Sequence, residues 1–117
     1  MIAFLASLAL ATAAAPATNV APQLNTQQQL ALTCSAALAT TAQRQAAGDA
    51  AALAYPPLAE RGREFFVRVS AKVMDETGLS RAQLRHALTS SAAALREQGE
   101  LAAVMPTCLD MLVAAGL

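Results

Sequence analysis

Two cysteines, Cys34 and Cys108, are the residues of this chain best suited to chemistry, and they lie far apart in the sequence. A redox motif needs two thiols close together, as in Cys-x-x-Cys, and a zinc site needs about four ligands. The chain offers two cysteines and one histidine, which falls short of either kind of site. Because two cysteines allow only one pairing within a chain, we predict a structural disulfide between Cys34 and Cys108; a bridge between two chains is the alternative.

Groupings of the kind that enzymes use are not evident elsewhere in the sequence. His86 is the single histidine, and it falls opposite the apolar face of its predicted helix, away from any nucleophile in the core. Asp75 and Glu76 are adjacent, so on a helix they point about 100° apart and are poorly placed to share acid and base work. A glycine-rich phosphate loop is also missing. We therefore predict a protein that is not an enzyme, with no catalytic, cofactor or metal site.

The charged residues balance, with 8 Lys and Arg against 8 Asp and Glu. A neutral chain without a basic run gives no electrostatic reason to expect nucleic acid or an anionic membrane surface as a partner. Arg81, Arg85 and Arg96 line one edge of a predicted helix and could receive an anion. Aromatic residues do not alternate with them, so they are only a weak indication of a binding site.

The N-terminal stretch "MIAFLASLALATAAAPA", residues 1–17, has the layout of a secretory signal peptide: an apolar run that ends in Ala-x-Ala patterns. No Lys or Arg precedes the run, and a membrane anchor is the alternative, but an anchor needs about 17 to 25 predominantly apolar residues. We predict cleavage after Ala17 and a periplasmic or secreted protein with no stable membrane insertion. Export agrees with the predicted disulfide, since disulfides persist in oxidising compartments.

Composition predicts the fold class. About 100 residues remain after cleavage, enough for one small domain. The chain is 56% hydrophobic but only 3% aromatic, and much of the hydrophobic share is alanine. Because alanine favours helices and buries little area, we predict an all-α bundle of about four helices around a thin core. We predict a flexible leader at residues 18–25 and a helical domain at residues 26–117.

The first predicted helix begins at a capping box made by Thr26 and Gln29 and runs towards Ala47. Asp49 could cap a short helical turn after it. One face of the first helix carries five residues at the 3.6-residue period, namely Leu30, Cys34, Ala37, Leu38 and Thr41. Cys34 therefore points into the predicted core.

The second predicted helix, residues 58–77, ends at Gly78 and carries the two neighbouring phenylalanines. Its apolar stripe contains Leu58, Phe65, Phe66, Val69 and Val73. Val67 and Met74 lie beside this stripe, which predicts that the helix is covered on two sides and is the central one. On its charged face the spacing predicts pairs of Glu64 with Arg68 and of Lys72 with Glu76.

The last two predicted helices follow the same rules. A capping box of Ser80 and Gln83 opens the third helix, whose apolar face carries Leu84, Leu88, Ser91 and Leu95, with Gly99 just past its end. The last helical region contains Pro106, which predicts a kink or a fresh start. Its apolar face is formed by Leu101, Val104, Met105, Cys108 and Leu112. The predicted disulfide thus joins the first helix to the last.

Two stretches, "GDAAALAYPPLAERGREFFVRVSAKVMDETGLSR" at 48–81 and "MPTCLDML" at 105–112, resemble small uncharacterised exported proteins of alphaproteobacteria. Proteins of this kind have a signal peptide, two distant cysteines and helical patterning. The resemblance covers most of the mature chain. It implies an exported helical protein, and it implies no activity and no site residues.

The functional prediction is a protein-interaction module of the periplasm, such as a chaperone, an inhibitor or an accessory subunit, with an unidentified protein partner. Its contact surface is predicted beside the second helix, at Phe65, Phe66, Val67 and Met74. Adjacent phenylalanines cannot point in the same direction on a helix; we expect a broad stripe to bury both, the alternative being that one of them edges a pocket or contact surface. The other predicted function is a carrier of a small apolar ligand or lipid, although a pocket of about 300 to 1,000 Å³ is hard to enclose with so few large side chains.

Overall fold

The computed structural model describes residues 23–117. This part of the chain forms five helices and no strands: α1 (Thr26–Ala46), α2 (Ala50–Leu53), α3 (Ala59–Thr77), α4 (Arg81–Gln98) and α5 (Leu101–Ala114). The prediction of an all-α bundle is confirmed, and the single-turn α2 is added to the four longer helices. The predicted signal peptide, residues 1–17, and the leader as far as residue 22 lie outside the described residues.

Side-chain caps fix where α1, α2 and α4 begin. At α4 the predicted capping box is confirmed: the Ser80 hydroxyl accepts from the Gln83 N–H at 3.2 Å, and the Gln83 side chain accepts from the Ser80 N–H at 2.9 Å. At α1 the predicted box is wrong by one residue, because Asn25 and Gln28 form it at 2.8 and 3.0 Å. The three consecutive glutamines after Thr26 provide the third helical residue in either register, and asparagine is a strong N-cap residue.

Left-handed glycines end helices α3 and α4. Gly78, with φ 72°, follows α3, and Gly99, with φ 63°, follows α4. A residue with a Cβ adopts this backbone region at a cost, whereas glycine enters it readily. Asp49 starts α2 by accepting from the N–H groups of Ala51 and Ala52 at 2.9 and 3.1 Å.

Helix α1 occupies the centre of the bundle and packs against each of the other four helices. The prediction that the Phe65-bearing helix, α3, is central is therefore wrong. Small side chains explain the difference, because Ser35, Ala36 and Ala37 let neighbouring helices approach α1 from several directions. Buried hydroxyls on α1 are satisfied locally: Ser35 and Thr41 donate to the backbone carbonyls one turn earlier, at 3.0 and 2.9 Å.

The first hydrophobic cluster surrounds the disulfide. Cys34 of α1 and Cys108 of α5 are bonded, with their Cα atoms 5.0 Å apart, and both are fully buried. The predicted disulfide between first and last helices is therefore confirmed. Two methionines complete its surroundings, with Met111 Sδ 3.6 Å from Cys34 Sγ and Met105 Sδ 3.4 Å from the Thr41 hydroxyl. Ten buried residues form this disulfide cluster: Cys34, Ala36, Ala37, Leu38, Leu58, Phe65, Leu95, Met105, Cys108 and Leu112.

A second, smaller cluster lies where α3 turns into α4. Four buried residues form this turn cluster, namely Leu32, Val73, Leu79 and Leu84. The half-buried Val69 of α3 packs against both clusters and connects them. The core is therefore two adjoining groups of side chains on the surface of α1.

Pro106 lies inside α5, which continues without interruption from Leu101 to Ala114. A fresh helix does not start at this proline. Proline has no N–H to donate to Ala102, four residues earlier, but Ala102 and Pro106 are both exposed. Water can therefore reach this turn of the helix, which explains why the proline is tolerated there.

Candidate functional site

The two phenylalanines of α3 have different surroundings. Phe65 is 3% exposed and packs in the disulfide cluster, whereas Phe66 is 38% exposed. The expectation that one broad stripe buries both is wrong, because consecutive residues on a helix point about 100° apart and α1 covers only one side of α3. The alternative is correct: one of the two phenylalanines, Phe66, borders a surface groove.

The other two residues of the predicted patch also separate. Val67 is 55% exposed, and Met74 is half-buried against the turn cluster. The predicted set of Phe65, Phe66, Val67 and Met74 is thus divided between the core, the edge of the core and the surface. Phe66 and Val67 are the members that a partner can reach.

Phe66 borders a groove of about 470 Å³ between α1 and α3, which we call the α1/α3 groove. Leu58, which is fully buried, and Gly62 form its base, and Arg63 lies on its rim. The α1 side is made mainly of small residues, Ala39, Ala42 and Ala46. Sequence reasoning missed these alanines because it searched for large apolar side chains; their spacing of three and four residues on one side of α1 was the available indication.

Only one ion pair closer than 4 Å forms within residues 23–117, between Glu64 and Arg68 at 3.0 Å. The predicted pair of Lys72 with Glu76 does not form. Instead, the Glu76 carboxylate accepts from the Gln28 side-chain amide at 3.5 Å. The sequence rule compares neighbours on one helix, and here a residue on the adjacent α1 competes for the carboxylate.

The remaining candidate residues lie apart from the α1/α3 groove. His86, Asp75 and Glu76 are exposed. Arg81 and Arg85 are exposed on α4, and Arg96 borders a different cleft at the end of that helix. The structure therefore does not bring the three arginines together at one pocket.

Within residues 23–117, no group of three or more His, Cys, Asp or Glu residues is arranged so that it could hold a metal ion. None of the helices described here combines the length and the apolar composition that crossing a bilayer requires.

Comparison of the chain with protein-family models, with curated proteins and with solved structures finds no match.

Proposed function

We propose that this chain is an exported, non-catalytic helical protein that binds a partner protein through the α1/α3 groove. The observation that carries the proposal is the position of Phe66, a large aromatic side chain that is 38% exposed beside an apolar groove. Aromatic residues are enriched at the centres of protein interfaces because they bury much area and lose little conformational freedom.

The shape and charge of the groove indicate what kind of partner segment it accepts. Small residues on α1 leave room for the side chains of an amphipathic helix. The binding of such a helix in an apolar groove is a common mode of protein recognition. Arg63 on the rim favours a partner segment that carries a carboxylate next to its apolar residues. We therefore propose a helical, apolar partner segment with an acidic flank.

Export to the periplasm or secretion is the second part of the proposal. The disulfide supports it, because disulfides persist in oxidising compartments and are rare in the cytosol. Intact mass of the protein recovered from the host tests it: a chain that begins near Thr18 is expected. A full-length chain that fractionates with membranes would contradict this part of the proposal. It would not affect the proposal that the α1/α3 groove binds a partner.

The groove is tested by partner capture with single variants. Phe66→Asp is expected to abolish the capture of a specific protein from periplasmic extract while the protein remains folded and helical. Val113→Asp is the matched control, since Val113 is 68% exposed on α5 and does not line the groove. Equal capture by the wild type and both variants would remove the groove from the proposal.

The second candidate function, a carrier of a small apolar ligand or lipid, has one observation in its favour. A cleft of about 360 Å³ opens between α1, α3 and α5 onto side chains of the core. This volume is at the low end of the range for ligand sites, so it suits a small ligand better than a two-chain lipid.

A further inference from the structure

The cleft between α1, α3 and α5, which we call the three-helix cleft, has an apolar base. Phe65 and Val73 of α3, which are 3% and 2% exposed, lie there together with Val69. Ala31 of α1 and Met111 of α5 close the two sides. The base of this cleft is therefore the outer surface of the core. Phe65 and Val73 have almost no exposed area, so the apolar area that a ligand here removes from water belongs to Val69, Met111 and Ala114.

Two basic residues border this apolar base. Arg68 and Lys72 are exposed, one turn apart on α3, and both line the cleft. Like charges at this spacing repel each other and destabilise a helix. The Arg68 guanidinium bonds to the Glu64 carboxylate at 3.0 Å and donates to the Ala115 carbonyl at 2.9 Å.

Lys72 has no carboxylate within 4 Å among residues 23–117. The acidic residue one turn further along α3, Glu76, also lines the cleft, but its carboxylate is oriented towards the Gln28 amide at 3.5 Å. An anion next to Lys72 would relieve the repulsion between Lys72 and Arg68. The cleft thus combines an apolar base with an ammonium group that lacks a partner.

We propose that the three-helix cleft binds a small anionic amphiphile, a carboxylate with a medium-length alkyl chain, as a free monomer. The carboxylate lies at the Lys72 ammonium, and the alkyl chain covers Val69 and Met111. A volume of about 360 Å³ accommodates one such chain. This inference concerns a different surface from the α1/α3 groove and does not depend on partner binding there.

Three ligands of equal chain length test the proposal by isothermal titration of the oxidised protein below the micelle concentration. Octanoate is expected to bind about tenfold more tightly than octanol, since a charge-assisted hydrogen bond is stronger than a neutral one. Octylammonium is expected to bind most weakly of the three. Equal affinity for all three, or no binding of octanoate, would overturn the proposal.

Variants locate the two halves of the ligand. Lys72→Gln is expected to weaken octanoate binding about tenfold and to leave octanol unchanged, while Arg85→Gln, an exposed arginine outside the cleft, changes neither. Ala114→Phe fills the cleft and is expected to abolish the binding of both ligands, whereas Ala103→Phe, at an exposed alanine of the same helix outside the cleft, has no effect.

Two outcomes would contradict this assignment directly. If Lys72→Gln binds octanoate as the wild type does, Lys72 does not hold the carboxylate. If the protein binds vesicles of anionic lipid but no monomeric octanoate, the basic residues serve a membrane surface and the cleft is not a ligand site. Unchanged melting temperatures of Lys72→Gln and Ala114→Phe exclude unfolding as the cause of lost binding.

Discussion

The disulfide cluster and the turn cluster stabilise two parts of the same bundle by different means. The disulfide cluster joins α1 to α5 covalently, and many of its ten buried residues are small or sulfur-containing. The turn cluster has four buried aliphatic side chains and no covalent link, and it depends on the Ser80 capping box and the Gly78 stop at the adjacent turn. In a chain with few large side chains, the disulfide therefore stabilises the packing of α1 on α5, and local caps stabilise the α3–α4 turn that packs on α1.

Loss of the disulfide is expected to have the largest effect. The double variant Cys34→Ala and Cys108→Ala should lower the free energy of unfolding by about 2 to 5 kcal/mol, because the cross-link between positions 74 residues apart no longer restricts the unfolded chain. Urea unfolding measures the loss. In hydrogen exchange, amides of α5 should lose more protection than amides of the α3–α4 turn; equal loss at both places would show that the two clusters are one unit.

A cavity in the turn cluster is expected to be nearly as costly. Leu32→Ala should destabilise the protein by about 3 kcal/mol, since Leu32 is fully buried and its removal leaves a cavity between α1, α3 and α4. Leu53→Ala is the control, because Leu53 is 57% exposed and should change stability by less than about 0.5 kcal/mol. Similar melting temperatures for the two variants would contradict the contribution of the turn cluster to stability.

The cap beside the turn cluster makes a smaller contribution. Ser80→Ala should cost about 1 kcal/mol, because the Gln83 N–H loses its acceptor. Ser90→Ala is the comparison within the same helix: Ser90 is exposed in its interior, where alanine is neutral or slightly stabilising. Thermal unfolding of both variants measures the difference, and a cost at Ser90 equal to that at Ser80 would remove the special role of the cap.

A comparably small effect on stability is expected at Phe66. Phe66→Ala should cost about 1 kcal/mol, because the side chain is 38% exposed and buries only part of its area. The neighbouring substitution Phe65→Ala should cost about 3 to 5 kcal/mol, since Phe65 packs in the disulfide cluster. Chemical denaturation of the pair compares the inner and outer sides of α3, and equal costs would mean that Phe66 is part of the core.

Much of the fold could be predicted because the relevant signals are local. The Ser80 box, the glycine stops and the apolar spacing place the helices within a few residues, and the pairing of two cysteines leaves one choice within a chain. The centre of the bundle could not be predicted in the same way. Burial on α1 depends on how closely other helices approach its serine and alanine side chains, whereas apolar residues on two sides of a helix favour α3 instead.

The candidate site was predicted only in part, for a related reason. The sequence identifies α3 as having more apolar residues than one stripe needs, but it does not indicate which side α1 covers. Phe65 and Phe66 differ by one position and have opposite surroundings as a result. The Lys72 side chain lacks its expected partner, and the Glu76 carboxylate is oriented towards Gln28 on another helix.

The positions of the two cysteines in the chain also limit when the disulfide can form, because the chain is synthesised from its N-terminal end. Every buried residue of the turn cluster, from Leu32 to Leu84, comes before Cys108 in the chain. The α3–α4 turn can therefore pack against α1 before the second thiol is present to react. Cys34 can form its disulfide only after α5, the last helix of the chain, is present.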